Sequence, residues 1–375
     1  MGFTVGITAD RRWDEQALLF ERSGARVVHG PTIRTQPLGA ETPLRRATEG
    51  VIARPPAVLI ANTGLGVRSW FANADTWGIG RALETALART RIFARGPKAS
   101  GAIHSAGLAV VARARTERLS EVVDLVLESL APGERVVLQL DGSSETVEVE
   151  RLRRAGAKVV TLPIYRWTLP DDTGPAIRLA ESVIDGRLHA VTFTAGPAIR
   201  NWLTIAADAG IETELRRGLT DGRSVVGCVG PVCAEAAAAE GLLSPHLIQP
   251  DTFRLGPMVR AVTDRLTERR VTLQIAPSSM VLSGNTVIIA GQCISLTDTE
   301  ARLLSTLARH PNTVFTKERL LQTVWSGTAA DAHTVEVGIA RLRKRLGAHG
   351  ESIHSVHRRG YALRTSTASH TKRTI

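Results

Sequence analysis

Short apolar runs recur through the first two thirds of the chain, each followed by a turn and then by a segment with helical spacing. They include Val58-Leu59-Ile60-Ala61, Val136-Val137-Leu138, Ala190-Val191-Thr192-Phe193 and Val225-Val226-Gly227-Cys228. Such runs lack the in-out alternation of a half-exposed strand. They fit strands buried on both faces, as in a parallel sheet covered by helices. The fold class this predicts for the region is α/β.

The region also repeats itself. VGITAD, a helical segment and SGARVVHGPTI are echoed by VVLQLD, a helical segment and AGAKVVTLPIY. AVLIANTGLGVRSWF with RIFARGPKASGAIHSAGL is echoed by AVTFTAGPAIRNWL with VVGCVGPVCAEAAAAEGL. Two proline-bounded extended segments, Pro31 to Pro37 and Pro163 to Pro170, read as strands crossing between two bodies. The expected organisation is two similar parallel-sheet α/β lobes joined by a two-stranded linker. The first is discontinuous, residues 1–32 plus 168–268, and the second spans 38–163.

Beyond a link at 269–277 the pattern changes. Thr297 and Glu300 form a T-x-x-E capping box before Leu303, Leu304 and Leu307, and Thr316 can cap a helix carrying Leu320, Leu321, Val324 and Trp325. A third helix places Val335, Ile339, Leu342 and Leu346 on one face, at steps of four, three and four. Its other face carries His333, Thr334, Arg341, Lys344 and Arg345, with Arg343 at the flank. Three helices followed by an alternating hairpin with a cationic tip make a winged helix-turn-helix domain, expected over 278–365, ahead of a disordered tail at 366–375.

Charge supports that reading. The chain carries +11 overall, and from Arg341 to Arg364 seven Lys or Arg residues stand against the single acid Glu351. A solvated basic helix would explain an isolated charge run. Here the surrounding helices and hairpin point instead to phosphates and base edges.

LTDTEARLLSTLARHPNTVFTKERLLQTVW, HTVEVGIARLRKRL and SVHRRGYAL resemble the OmpR/PhoB-type winged-helix domain of response regulators. The resemblance implies that Thr334, Arg341, Arg343 and Lys344 face double-stranded DNA, with a wing contact from Arg358 or Arg359 and a dimer on paired half-sites. The GARVV/GAKVV turns, TLPIYRW, VTFTAGPAIRNW and CVGP resemble uroporphyrinogen-III synthase over about residues 3–266. That family closes hydroxymethylbilane, a linear tetrapyrrole bearing eight carboxylates, without cofactor or metal. Tyr165 becomes the candidate for assisting departure of the hydroxyl. Carboxylates would be held at strand-to-helix turns, where free N–H groups and the helix dipole favour anions. The residues concerned are Thr63, Gly64, Gly96, Lys98, Thr194, Ala195, Gly196, Gly230 and Val232.

This chain departs from the family at those turns. Asn62-Thr63-Gly64 and Thr194-Ala195-Gly196 replace Thr-Ser-Pro, and Ala99 and Cys233 stand where hydroxyl residues commonly follow the Gly-Pro turns. The expected function is therefore a DNA-binding transcriptional regulator whose lobes sense a small anionic ligand such as a tetrapyrrole. The fusion resembles actinobacterial regulators of nitrate and nitrite assimilation. An active synthase that also binds DNA is the alternative.

Other chemistries find little support. Cys228, Cys233 and Cys293 offer no C-x-x-C pair, so they read as buried thiols of a cytoplasmic protein, and the histidines lack metal-binding spacing. Gly64-Leu65-Gly66 lacks the third glycine of a dinucleotide fingerprint, and neither VLIANTG nor VTFTAG has the acidic cluster of a phosphorelay receiver. A signal peptide and a membrane span are not expected.

Overall fold

The computed structural model describes residues 2–38, 42–140, 142, 147–242, 245–275, 277–325 and 330–365. The chain divides into two units, Met1–Ile33 with Pro170–Ile375, and Arg34–Leu169. The expected tail at 366–375 lies outside the described residues.

In the first unit, β1 (Thr4–Ile7) and β2 (Arg26–His29) join β10 (Ala190–Phe193), β11 (Val225–Cys228) and β12 (Leu247–Ile248) in an all-parallel sheet ordered β12-β11-β10-β1-β2. The second unit contains β4 (Val58–Ala61), β5 (Arg91–Ala94), β6 (Ala112–Arg113), β7 (Arg135–Gln139) and β8 (Lys158–Leu162) in the order β6-β5-β4-β7-β8. Matching β4 to β10 and β7 to β1 superimposes the two orders. The sequence repeat is thus a structural repeat, and the sheet of the first lobe is completed by strands that follow the second lobe in the chain.

The uninterrupted apolar runs are explained by burial on both faces. Val58 and Ile60 enter one hydrophobic cluster while Leu59 and Ala61 enter the cluster on the opposite face. Val58, Leu59 and Ile60 each contribute about 1.5–3 kcal/mol on leaving water. The proline-bounded segments form β3 (Arg34–Pro37) and β9 (Tyr165–Thr168), an antiparallel ribbon pairing Pro37 with Tyr165 and Arg34 with Thr168.

The C-terminal sheet starts within the stretch that the sequence assigns to a link. Residues 269–277 are not a free link. After the helix Leu255–Glu268, only Arg269 and Arg270 precede β13 (Val271–Ile275), which pairs antiparallel with β14 (Ser278–Ser283). The reason is period-two burial: Leu273 and Ile275 point into the core while Thr272 and Gln274 are exposed. The sheet continues through β15 (Thr286–Ile289) and β16 (Gln292–Ser295).

Helices Asp298–Ala308, Lys317–Val324 and Ala332–Leu346 follow, then the wing of β17 (Ile353–Val356) and β18 (Gly360–Leu363). The four residues expected on the apolar face of the basic helix, Val335, Ile339, Leu342 and Leu346, are buried. Thr297 closes its capping box with Glu300, and Thr316 accepts from the Arg319 N–H. One cysteine departs from expectation. Cys293 is exposed, because it sits at an outward position of the edge strand β16, whereas Cys228 and Cys233 are buried.

Candidate functional site

In the second unit the strand β4 ends at Ala61, and Thr63 then caps the helix Gly64–Thr76 by accepting from the Gly66 N–H at 3.1 Å. The Thr63 hydroxyl oxygen is a shared node. Gln139 Nε2 donates to it at 2.9 Å and the Tyr165 hydroxyl at 3.2 Å, while Gln139 Oε1 accepts from the Thr63 N–H at 3.2 Å. Tyr165 is only 5% exposed. Its ring packs edge-on to Trp167 at 5.9 Å and lies over Gly142, whose φ of +92° and missing Cβ both matter, since a Cβ there would sit 2.8 Å from the Tyr165 ring.

The neighbouring turn belongs to the same constellation. Gly96 caps the helix Pro97–Ser105, and a Cβ at Gly64 would lie 2.3 Å from the carbonyl oxygen of Lys98. Two helix N-termini are therefore packed together, with Lys98 exposed beside them. Thr63, Gly64, Lys98 and Tyr165 come together. Ala99, in contrast, is buried and presents no polar atom.

The first unit repeats the arrangement with fewer side chains. Ala195 occupies the N-cap of the helix Gly196–Asp208 and supplies no side-chain acceptor, and Gly230 does the same for Pro231–Ala239. A Cβ at Gly196 would lie 3.4 Å from the Val232 carbonyl oxygen, so these helix starts are also adjacent. Thr194 is half-buried and Val232 exposed. Cys233 faces inward, its thiol 3.5 Å from the Phe193 carbonyl oxygen. A hydrogen bond with Cys228, together with burial, pushes that thiol well above its ordinary pKa, so it is no nucleophile.

In the DNA-binding portion the basic helix divides its polar residues between structure and surface. Thr334 is a capping residue. Its N–H donates to Asp331 Oδ1 at 2.9 Å and holds that carboxyl below the usual range, while its hydroxyl also bonds Asp331. Arg343 is likewise engaged, donating from Nε to the Ile353 carbonyl oxygen at 2.9 Å and from Nη2 to Ser355 Oγ at 3.1 Å. Lys317 pairs with Glu336, and Arg345 lies 3.5 Å from Glu300. Arg341 and Lys344 stay exposed and form no ion pair with any described residue. Arg358 and Arg359 stand at the wing tip, Arg358 with φ +55°. Gly360 beside them has φ +126°, and a Cβ there would fall 1.9 Å from the Phe315 carbonyl oxygen, so only glycine lets the wing pass. Of the residues expected to face DNA, the surface row is Arg341 and Lys344, with Arg358 and Arg359.

The family model described as uroporphyrinogen-III synthase HemD matches residues 14–260. The chain belongs to the uroporphyrinogen-III synthase family. A solved mutant uroporphyrinogen III synthase from Thermus thermophilus is similar with a TM-score of 0.58 at 28% identity, covering 71% of this chain and 100% of that one. The model described as transcriptional regulatory protein, C terminal, matches residues 291–363. The transcriptional regulatory protein PrrA of Mycobacterium leprae is 29% identical over 190 residues, 44% of this chain and 81% of its own. For PrrA of Mycobacterium tuberculosis the figures are 31% over 133 residues, 35% of this chain and 57% of that protein. This member of the synthase family therefore carries a winged-helix DNA-binding domain of the transcriptional-regulator type.

Sequence reasoning about the synthase-like turns missed Gln139. It is fully buried at the end of β7 and bonds Thr63 from both ends of its amide. A glutamine closing an otherwise apolar strand was the available signal, since a buried amide must find partners. Among the described residues no cluster of three or more His, Cys, Asp or Glu could hold a metal, and no helix is long and apolar enough to cross a membrane.

Proposed function

We propose that the chain is a transcriptional regulator whose synthase-like lobes sense a small anionic ligand, a linear tetrapyrrole being the candidate, and thereby adjust the grip of Arg341, Lys344, Arg358 and Arg359 on an operator. The observation that carries this reading is a contrast. The cations of the basic helix stand exposed, while the helix starts of the lobes present Ala99, Ala195 and Cys233, which offer no hydroxyl to a substrate. Backbone N–H groups at those starts still suit carboxylates, so binding outlasts catalysis. On this reading the operators lie before genes of nitrate and nitrite assimilation, and the protein binds them as a dimer.

The test is selection of genomic fragments by the full chain, followed by shift assays with and without freshly generated hydroxymethylbilane. A change in affinity with the bilane supports sensing. Identical affinity at saturating bilane sinks it.

A second reading has its own observation. Tyr165 donates to Thr63 at a helix start, a placement suited to assisting loss of the bilane hydroxyl. Spontaneous closure gives the type I uroporphyrinogen isomer, so an excess of type III from the full chain, reduced in Tyr165→Phe, would establish an active synthase. Type I alone would leave the lobes as a sensor.

A further inference from the structure

Within the unit that contains both the first lobe and the DNA-binding domain, a cavity of about 190 Å³ lies at their junction. The lobe contributes Phe3, His189 and Arg223, the end of its last helix contributes Arg269, and the helix Asp298–Ala308 with its C-cap contributes Arg302 and Arg309. The junction is built closely. The tip of the β14–β15 hairpin rests on the chain start, where the Asn285 N–H donates to the Gly2 carbonyl oxygen at 2.7 Å. Gly284, at φ +56°, has no room for a Cβ beside that same oxygen.

The cavity is cationic out of proportion to its size. Four guanidinium groups line it, against one lining carboxylate, Asp298, which already accepts from Asn285 Nδ2. Arginine stays protonated even here, and Arg223 is paired with Asp221 behind the lining, so three uncompensated positive charges face one carboxylate, a net of two. Burial and the neighbouring Arg309 depress the Arg269 pKa, and burial and Arg223 depress that of Arg302. Charges from lobe and DNA-binding domain thus repel one another across the junction.

Arg269 is the most telling member. Its Nη1 donates to the Arg223 carbonyl oxygen at 2.7 Å, but its Nη2 is buried with no acceptor among the described residues. A buried charged donor without an acceptor is costly and rare in a finished structure. Arg302 spends one nitrogen on the Thr323 carbonyl oxygen at 3.1 Å and retains others. Guanidinium forks converging on a small space match the oxygens of phosphate or carboxylate.

We propose that this cavity binds a small phosphate- or carboxylate-bearing anion, with Arg269, Arg302 and Arg309 as its donors, and that the bound anion fastens the lobe to the DNA-binding domain. The volume suits inorganic phosphate or a small polycarboxylate rather than a tetrapyrrole. The site is therefore separate from the helix starts of the lobes, and stands or falls independently of the ligand proposed for them.

The full chain is titrated with sodium phosphate in one arm and sodium citrate in another, against sodium chloride at matched ionic strength, following melting temperature and heat of binding. Saturable stabilisation by phosphate or citrate beyond chloride is expected. It should weaken at least tenfold in Arg309→Glu, whose exposed side chain can be changed without touching the core, and in Arg302→Met, and stay unchanged in Arg89→Glu on the other unit. Equal stabilisation by chloride would overturn the site, as would saturable binding indifferent to both cavity substitutions. Loss of DNA binding in those variants with no anion binding in the wild type would give these arginines to the DNA backbone and overturn it too.

Discussion

Arg343 Nε donates to the carbonyl oxygen of Ile353 at 2.9 Å, which ties the basic helix to the first strand of the wing. A second nitrogen reaches Ser355, and the guanidinium lies 5.9 Å from the centre of the Tyr361 ring. Arg343→Ala should therefore cost about 1–3 kcal/mol of stability, from the lost bonds to a charged donor. It should weaken operator binding without changing its salt dependence, because the side chain is spent within the domain and neutralises no phosphate. A flattened salt slope in this variant would return Arg343 to the DNA surface.

Arg341→Ala and Lys344→Ala should behave in the opposite way. Both side chains are exposed, so thermal stability should change by less than about 0.5 kcal/mol. The slope of log affinity against log salt should fall by about 0.9 for each phosphate that is no longer neutralised. Shift assays over a salt series separate the two classes of arginine, and unchanged binding in both variants would exclude this face.

The difference between Arg341 and Arg343 marks what the sequence could and could not say. Spacing alone assigns Val335, Ile339, Leu342 and Leu346 to the core, and Thr297 and Thr316 to caps, because those roles depend on residues within a turn or two. The parallel lobes are legible for a similar reason, as strands buried on both faces leave unbroken apolar runs. Arg343 is not, since its partner carbonyl arrives on a strand ten residues later. Gln139 reaches Thr63 across 76 residues, and the cationic cavity gathers arginines from segments no local pattern connects. β13 reads as a link because its five residues are bounded by no turn signal on the helix side.

Thr63→Val should remove one oxygen that serves Gly66, Gln139 and Tyr165 together. The expected cost is about 1–3 kcal/mol, combining a lost cap with a stranded buried amide. Thr63→Ser should retain most of the stability. Urea unfolding of both variants distinguishes this node from simple packing, for which serine would be the worse substitute.

His189 makes a prediction about acid. It lies half-buried beside Phe3, accepts from the Thr4 N–H at 2.9 Å through Nδ1, and has a pKa lowered to about 4. Burial is the main cause and Arg269 adds to it, while Asp298 opposes it. The folded state thus prefers the neutral ring. Its contribution is complete above the ordinary histidine value of 6.5 and is lost progressively as pH falls from there to about 4, since the unfolded chain takes up the proton first. The loss amounts to roughly 3 kcal/mol at about 1.4 kcal/mol per pH unit. Melting curves over this range should be flatter for His189→Gln, and parallel curves for wild type and variant would contradict the assignment.

The pairing of β1 with β10 sets an order of events at the ribosome. Val5 hydrogen-bonds in register beside Ala190, and Ile7 beside Thr192, so β1, which finds β2 early, cannot join the other three strands of its sheet until 185 further residues exist. At about 5–20 residues per second that interval is roughly 10–40 s. Residues 34–169, whose described strands pair among themselves, can fold during the wait. The Gly2 carbonyl waits longer still, for Asn285. Birth order therefore departs from position in the chain: the inserted lobe matures first, the lobe whose strands flank it second, and the seam of that lobe with the C-terminal domain last.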